Sequence, residues 1–241
     1  ILTSWRGCPR PLRSTWTSIE KSLHKSPRVW YKGLDSQECS RRGRVATAEQ
    51  QRLTEWWKTE PFTNPGPQTA EHCCDALIAL ELLIADGHLL PPRNYFEPGC
   101  CLGRNLRLLH ERYGGDAYGL EVHHELVTAT EAAVPGVRMF IANVFDVDRW
   151  AADLVDGYFD LTLTRSFLFY LPPGLAKCFV VEELKRVSKF LLVMEPNFTN
   201  TGRWEPEDRG SYVCSWEHWE DYGLRPYPNA RAAGLGVYIW P

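Results

Sequence analysis

The sequence predicts an α/β protein on a doubly wound, mostly parallel sheet of seven strands. The sheet closes with a C-terminal antiparallel hairpin and is preceded by a helical and irregular extension. Three observations carry this. From Asn94 onward, short apolar runs alternate with amphipathic helical stretches every ~25–30 residues, the pattern of a parallel sheet covered on both faces. Gly114-Gly115 and Pro135-Gly136 fall where those stretches end. The last two apolar runs, residues 224–227 and 236–240, are joined by a short loop with no helix between, as antiparallel neighbours are.

Each element follows in order. Residues 1–44 are rich in Arg, Ser and Pro, carry Trp5, Trp16 and Trp30, and have no sustained period, so they read as an arm that packs by its aromatics. Residues 48–58 read as a short helix capped by Thr47, and residues 61–67 only as a loop. Thr69 caps a second helix with Cys73, Leu77, Leu80 and Ile84 at helical spacing and Gly87 ending it. Residues 1–90 are therefore an N-terminal arm and helical lid, and residues 91–241 the sheet domain. In that domain residues 95–97 form the first strand. A glycine-containing turn follows, then a helix through Leu106, Leu109 and Tyr113 that stops at Gly114-Gly115. Residues 117–121 are the second strand, 125–133 a helix stopped by Pro135-Gly136, and 137–142 the third strand. Residues 158–164 are the fourth strand, 175–187 a helix, and 190–194 the fifth strand.

Composition excludes several classes. With 241 residues, 44% hydrophobic and 24% charged, the chain is neither a disordered tail nor a fibre. Its net charge of −3 gives no support to a nucleic-acid partner, although residues 1–44 hold ten Lys/Arg against three Asp/Glu and the remainder 17 against 27. That basic arm is a solvated surface or a means of recognising an anionic acceptor. No apolar run approaches the ~18 residues that span a bilayer, and no membrane partner is expected. Four of the eight cysteines are adjacent pairs, Cys73-Cys74 and Cys100-Cys101, and there is no C-x-x-C. Reduced thiols, no metal site and a cytoplasmic location are the expectation. The basic, Ser-containing leader leaves organellar import open.

Open parallel sheets bind ligands beyond the carboxyl ends of their strands, where the strand order reverses. The loop after the first strand reads Glu97-Pro98-Gly99-Cys100-Cys101-Leu102-Gly103-Arg104-Asn105. Gly99 and Gly103 permit a tight turn and close backbone approach to a ligand. A dinucleotide fingerprint starting at Gly99 needs glycines where Cys101 and Arg104 stand, and a P-loop needs Gly, Lys and Ser or Thr where Arg104, Asn105 and Leu106 stand. Both fail, which disfavours a nicotinamide-dependent oxidoreductase.

The segment resembles motif I of the class I, Rossmann-like S-adenosylmethionine-dependent methyltransferases: an acidic residue, any residue, then G-x-G-x-G extended as G-R-N. Glu97, Gly99, Gly103 and Asn105 match, and Cys101 replaces the middle glycine. The resemblance covers about 145 residues, Tyr95 to Trp240. It places Glu121, with Val122 beside it, at the ribose, where a carboxylate can accept from both hydroxyls. It places Asn143 and Val144 at the adenine, with Asp146 as the competing alignment, and counts Thr164, at the end of the fourth strand, among the cofactor-binding residues. Tyr170 occupies the usual His position of V-L-x-H-L-P-P, here Leu168 to Pro173, and Glu195-Pro196-Asn197 is another recurrent pattern. The implied cofactor is S-adenosyl-L-methionine. The implied fold is the Rossmann-like methyltransferase sheet, with residues 91–241 as the cofactor-binding and catalytic domain.

The resemblance implies methyl transfer to an N or O acceptor on a small molecule, sugar or peptide-like substrate. The alternative is a non-catalytic methyltransferase-like scaffold, which Cys101 and Asn143 keep open. The methyl donor is already activated, so alignment and exclusion of water are the main demands. Tyr170 and Glu195 are the catalytic candidates, with His218 more remote. Tyr170 suits orientation better than proton abstraction, with its ordinary pKa of about 10. Glu195 is either a proton acceptor or a structural carboxylate capped by backbone. His123 and His124 read as exposed helix-start histidines, and the Cys100-Cys101 pair as small packing side chains. Acceptor selection falls to Trp56-Trp57 through Gln68 and to Trp204, Tyr212, Trp216 and Trp219, which suit a planar or cationic acceptor or pack one helical face on the sheet.

Overall fold

The computed structural model describes residues 70–171, 175–196, 219–230 and 235–241. The expected arm, the first helix and its following loop, and Trp204, Tyr212, Trp216 and His218 lie outside the described residues, as do Trp56-Trp57 and Asn197. The elements in order are α1 (Ala70–Ala85), β1 (Asn94–Pro98), α2 (Arg104–Tyr113), β2 (Asp116–Glu121), α3 (His124–Ala133) and β3 (Arg138–Ile141). Then come α4 (Val147–Trp150), β4 (Leu161–Arg165), a 3-10 turn (Leu168–Tyr170), α5 (Leu175–Val187) and β5 (Leu191–Pro196). A second 3-10 turn (Glu220–Tyr222), β6 (Arg225–Pro226) and β7 (Leu235–Trp240) complete the order.

The strands form one seven-stranded sheet in the order β3-β2-β1-β4-β5-β7-β6. β1 to β5 pair in parallel, and β7 runs antiparallel to both β5 and β6. The order reverses between β1 and β4, so the crevice beyond their carboxyl ends is the topological switch point. Alternation along the strands divides the core. Leu161 and Leu163 of β4 and Tyr95 of β1 pack with Ala79, Leu80 and Leu83 of α1 and Leu106 and Leu109 of α2. On the opposite face Phe96 stacks between Phe159 and Trp150, with ring centroids 4.8 and 5.5 Å away, above Val180, Leu184 and Val187 of α5.

The expected strands and the α5 boundaries are present, with local corrections. β4 begins at Leu161 rather than Tyr158, because the preceding residues fasten the start of β1. Asn94 donates to the Tyr158 carbonyl at 2.7 Å, and Asp160 N–H donates to Asn94 Oδ1 at 2.7 Å. Phe159 makes only an isolated bridge, to Ser188. β5 runs on to Pro196 because β7 pairs with it that far, Glu195 opposite Gly236 and Pro196 opposite Leu235. The buried face of α1 is Ala76, Ala79, Leu80 and Leu83, so Leu77 and Ile84 sit at its margin instead of its centre. The helix is turned so that its alanines face the core while Glu81 reaches Arg112 and Tyr113 of α2, at 2.6 and 2.7 Å. α4 and the two 3-10 turns are short elements that periodicity cannot register.

Cys178 on α5 is disulfide-bonded, which corrects the expectation of uniformly reduced thiols; adjacent cysteine pairs carry no signal for a bridge that folding closes. Among the described residues, no helix is long and apolar enough to cross a membrane and no three His, Cys, Asp or Glu side chains gather as a metal site.

Candidate functional site

The loop from β1 to α2 is built on left-handed backbone. Gly99, Cys101 and Gly103 have φ of 66°, 52° and 63°. The loop is pinned to β2 by Gly99 N–H and Cys100 N–H, which donate to the Leu120 carbonyl at 2.7 and 3.3 Å. Glycine is required twice for space as well as for φ. A Cβ on Gly99 would lie 2.4 Å from Cδ2 of Phe167, and one on Gly103 would lie 2.4 Å from Cγ2 of Thr130. Cys101 takes the middle left-handed position without glycine's freedom, at a cost of order 1–3 kcal/mol. Two contacts offset that strain: its N–H donates to Glu121 Oε2 at 3.1 Å, and its carbonyl accepts from Thr130 Oγ1 at 2.8 Å. The departure from the glycine pattern thus preserves the backbone shape. Burial, with the Glu121 charge nearby, pushes the Cys101 thiol up to about 11, so it is not a nucleophile near neutrality.

Glu121 ends β2 and is 8% exposed as a residue. Besides the Cys101 amide, it accepts from Val122 N–H at 2.8 Å and His123 N–H at 3.1 Å, both on Oε1. A carboxylate offers about four lone-pair sites. One, on Oε2, is therefore left for a ligand donor, and a bidentate grip on two hydroxyls requires the Cys101 amide to give way.

Glu97 and Arg165 end the adjacent strands β1 and β4 on the same face of the sheet as Tyr95 and Leu163. Glu97 Oε1 accepts from Asn105 Nδ2 at 2.6 Å. Its Oε2, Asn105 Oδ1 and Arg165 Nε are all buried with no hydrogen-bond partner. Burial raises the Glu97 pKa to about 8, held from going higher by the Asn105 bond and the Arg165 charge. Buried polar groups without a partner cost of order 1–3 kcal/mol each.

At the end of β3, Asn143 Oδ1 accepts from Phe145 N–H at 3.0 Å in an Asx turn, which leaves one lone pair on that oxygen. Val144 is buried and its carbonyl accepts from Trp150 Nε1 at 3.0 Å. Asp146 is exposed and precedes α4 without a side-chain capping bond. The tips of β2 and β3 are tied by Ala142 N–H to the Glu121 carbonyl at 3.2 Å, so Asn143 stands next along the same crevice.

Thr164 and Glu195 meet on the opposite face. Glu195 is 1% exposed and accepts from Phe167 N–H at 3.1 Å, Leu168 N–H at 3.0 Å and Phe169 N–H at 3.3 Å, with Thr164 Oγ1 at 3.4 Å. Both of its oxygens are engaged by backbone. Burial raises its pKa to about 7, against the pull of those amides and of Lys177, itself fully buried with Nζ 5.4 Å from the Trp219 ring centroid. Tyr170 is half-buried with its ring tilted 38° to that of Phe169 at a centroid distance of 3.8 Å; burial, then the Glu195 charge, raise its pKa, so it remains a neutral hydroxyl.

Glu97 is thus bonded to Asn105 and Cys101 to Glu121, while the amides of Gly99 and Gly103 bond to the carbonyls of Leu120 and Cys100. Val122 is bonded to Glu121 through its amide, and Asn143 and Val144 stand next along the crevice. Thr164, Tyr170 and Glu195 form a second group across the sheet. Three residues escaped sequence reasoning. Arg165 had a signal, a cation closing an apolar alternating strand. Phe167 and Thr130 had none, because their importance is the space they deny to a glycine far away in sequence.

No family model matches the sequence, and no curated protein sequence matches it. Solved structures do. Magnesium protoporphyrin IX methyltransferase from Synechocystis PCC 6803, with bound S-adenosylhomocysteine, superposes with a TM-score of 0.54 at 14% identity over 78% of this chain and 97% of that one. The same enzyme with bound S-adenosylmethionine gives 0.52 at 14% identity over 81% and 97%. Geranyl diphosphate C-methyltransferase from Streptomyces coelicolor A3(2), in complex with Mg2+, geranyl diphosphate and S-adenosyl-L-homocysteine, gives 0.50 at 13% identity over 81% and 98%. With its strand order, antiparallel last hairpin and left-handed loop after β1, the chain has the fold of the class I S-adenosylmethionine-dependent methyltransferases.

Proposed function

We propose that the chain is an S-adenosylmethionine-dependent methyltransferase acting on a nitrogen or oxygen of a small-molecule, sugar or peptide-like acceptor. The observation that carries this reading is the contact between Glu121 and the Cys101 amide, which holds the carboxylate at the end of β2 against the left-handed loop after β1, beside the switch point. The structural neighbours that hold S-adenosylmethionine or S-adenosylhomocysteine support the same cofactor. They act on a porphyrin and on an isoprenoid diphosphate, so the fold alone does not choose the acceptor.

The residues fit this group. Glu121 keeps a lone pair for a ribose hydroxyl, and Asn143 keeps one for the adenine amino group, with Val144 beside it. Glu97, Asn105 and Arg165 present orphaned acceptors and a donor to the zwitterionic amino-acid end. The cofactor, when bound, supplies a sulfonium-activated methyl group. The protein's share is then alignment and exclusion of water. Tyr170, held neutral, can donate a hydrogen bond that orients the acceptor; proton abstraction does not suit it.

Titration calorimetry with S-adenosylmethionine and S-adenosylhomocysteine tests the reading: both are expected to bind, and heat from neither would overturn it in favour of a scaffold. Glu121→Ala is expected to weaken that binding by about 1–3 kcal/mol, roughly 5–150-fold, through lost charge-assisted hydrogen bonds. Unchanged affinity would mean that the ribose lies elsewhere. Arg165→Met is expected to weaken S-adenosylhomocysteine by about 1.5–3 kcal/mol while leaving 5′-methylthioadenosine, which lacks the amino-acid end, unaffected. Equal losses for the two ligands would instead mean that Arg165 supports the loop rather than the ligand.

A further inference from the structure

From Ala76 to Ala85, α1 carries apolar residues on opposite faces, and only one of those faces is buried in the core. The inward face is Ala76, Ala79, Leu80 and Leu83, none of them more than 3% exposed. Ile78, Leu82 and Ala85 stand opposite, at the i, i+4, i+7 spacing of a second stripe. Ile78 is 48% exposed, Ala85 is exposed and Leu82 half-buried, and Leu90 just beyond the helix is 85% exposed. Glu81 is the only charged residue between Asp75 and Asp86, and it is turned sideways to Arg112 and Tyr113 of α2. A helix that is apolar all round belongs in an interior, so the outer stripe is a surface in need of a partner.

The chain itself supplies one. Residues 1–69 lead into this helix at Ala70. Within them residues 48–58, which their sequence predicts helical, hold Leu53, Trp56 and Trp57 at i, i+3, i+4 spacing among polar and charged neighbours. We propose that residues 48–58 dock on the outer face of α1, setting Leu53, Trp56 and Trp57 on Ile78, Leu82 and Ala85.

Reach, area and charge favour this occupant. Residues 58–69 can span about 40 Å when extended, and Ile78 lies about 12 Å along the helix from Ala70. The two tryptophans bring about 150–250 Å² each to be buried. A second copy of the chain would have to bury roughly 800 Å² on each partner for a stable dimer, more than this stripe and Leu90 can offer. Glu49, Arg52, Glu55 and Lys58 balance, so the segment brings no net charge to an uncharged face. The docking also sorts the aromatic segment by role. Glu81 meets the last turn of α2 about 16 Å down α1 from Ala70, which sets Ala70 level with the start of α2, at the crevice end of the sheet. Trp56 and Trp57 are then structural, and acceptor selection in this segment falls to residues 61–68, which connect at that end. This last consequence rests on the methyltransferase reading; the docking does not.

Hydrogen exchange of the full, unliganded chain tests the docking. An isolated helix this short is marginal in water, so slow exchange at residues 52–58 reports a partner. In the wild type those amides are expected to exchange slower than an unstructured chain by about tenfold or more. Ile78→Asp should abolish that protection, while the amides of residues 80–85 keep theirs. Trp57→Ala should abolish it too, although alanine is the better helix former, and it keeps the test open if Ile78→Asp does not fold. Ile78→Leu should leave it unchanged. Free exchange at 52–58 in the wild type, or protection that survives both Ile78→Asp and Trp57→Ala, overturns the docking. Protection that fades on dilution, together with a dimer in sedimentation, overturns it in favour of a second copy on the same face. No cofactor enters the measurement, so its outcome is independent of whether S-adenosylmethionine binds.

Discussion

Gly103→Val is expected to weaken S-adenosylmethionine binding by about a hundredfold. Two costs combine. A β-branched residue at φ 63° is strained by about 1–2 kcal/mol, and its Cβ would fall 2.4 Å from Thr130 Cγ2 in a packed site, where overpacking costs about 1–3 kcal/mol. Both act on the loop's native shape, so the binding-competent population falls and the apparent Kd rises in proportion, tenfold per about 1.4 kcal/mol. Calorimetry measures the loss. Adding Thr130→Ser, which keeps the hydroxyl bonded to the Cys101 carbonyl but removes the methyl, is expected to recover the steric part and not the backbone part. Wild-type affinity in Gly103→Val would remove the glycine loop from the argument.

Phe96→Ala is expected to destabilise the protein by about 3–5 kcal/mol. Phe96 is fully buried, lies 17° from parallel with Phe159 and 25° from parallel with Trp150, and meets Phe140 edge-on at 6.2 Å. Its removal opens a void where β1, the residues before β4, and α4 meet, immediately behind Glu97. For a chain of this size the loss corresponds to a fall in Tm on the order of 10 °C, measurable by thermal unfolding, with urea titration giving the free energy. Phe96→Leu should cost less, because most of the volume is retained. A loss below about 1 kcal/mol in Phe96→Ala would mean that the site collapses freely and the stack does not support β1.

The parts of the site that were legible in the sequence share one property: each is defined within a few residues of itself. Gly99 and Gly103 stand between an apolar run and a helical period, Glu97 and Glu121 close alternating strands, and Asn143 opens a turn. The hairpin was legible because two apolar runs follow each other without a helix. The face of α1 was not, since Leu77 and Leu80 satisfy helical spacing as well as Ala76 and Leu80 do, and the choice belongs to the partner helix α2. Nor was the start of β4, where Asn94 captures Asp160 from 66 residues away.

Glu195 illustrates the division most clearly. A carboxylate after an apolar strand is equally consistent with a proton acceptor and with a backbone cap, and nothing near it in the chain separates the two. The amides that engage it come from 26 to 28 residues earlier. Periodicity, turn chemistry and strand-end charge are short-range properties of a chain, so they settled the order of elements and the tight turn after β1. Which buried acceptor meets which amide, which groups are left without a partner, and which ring sits against a glycine depend on contacts between distant segments. Packing and the desolvation of those groups decide them, and only the assembled sheet brings them into reach.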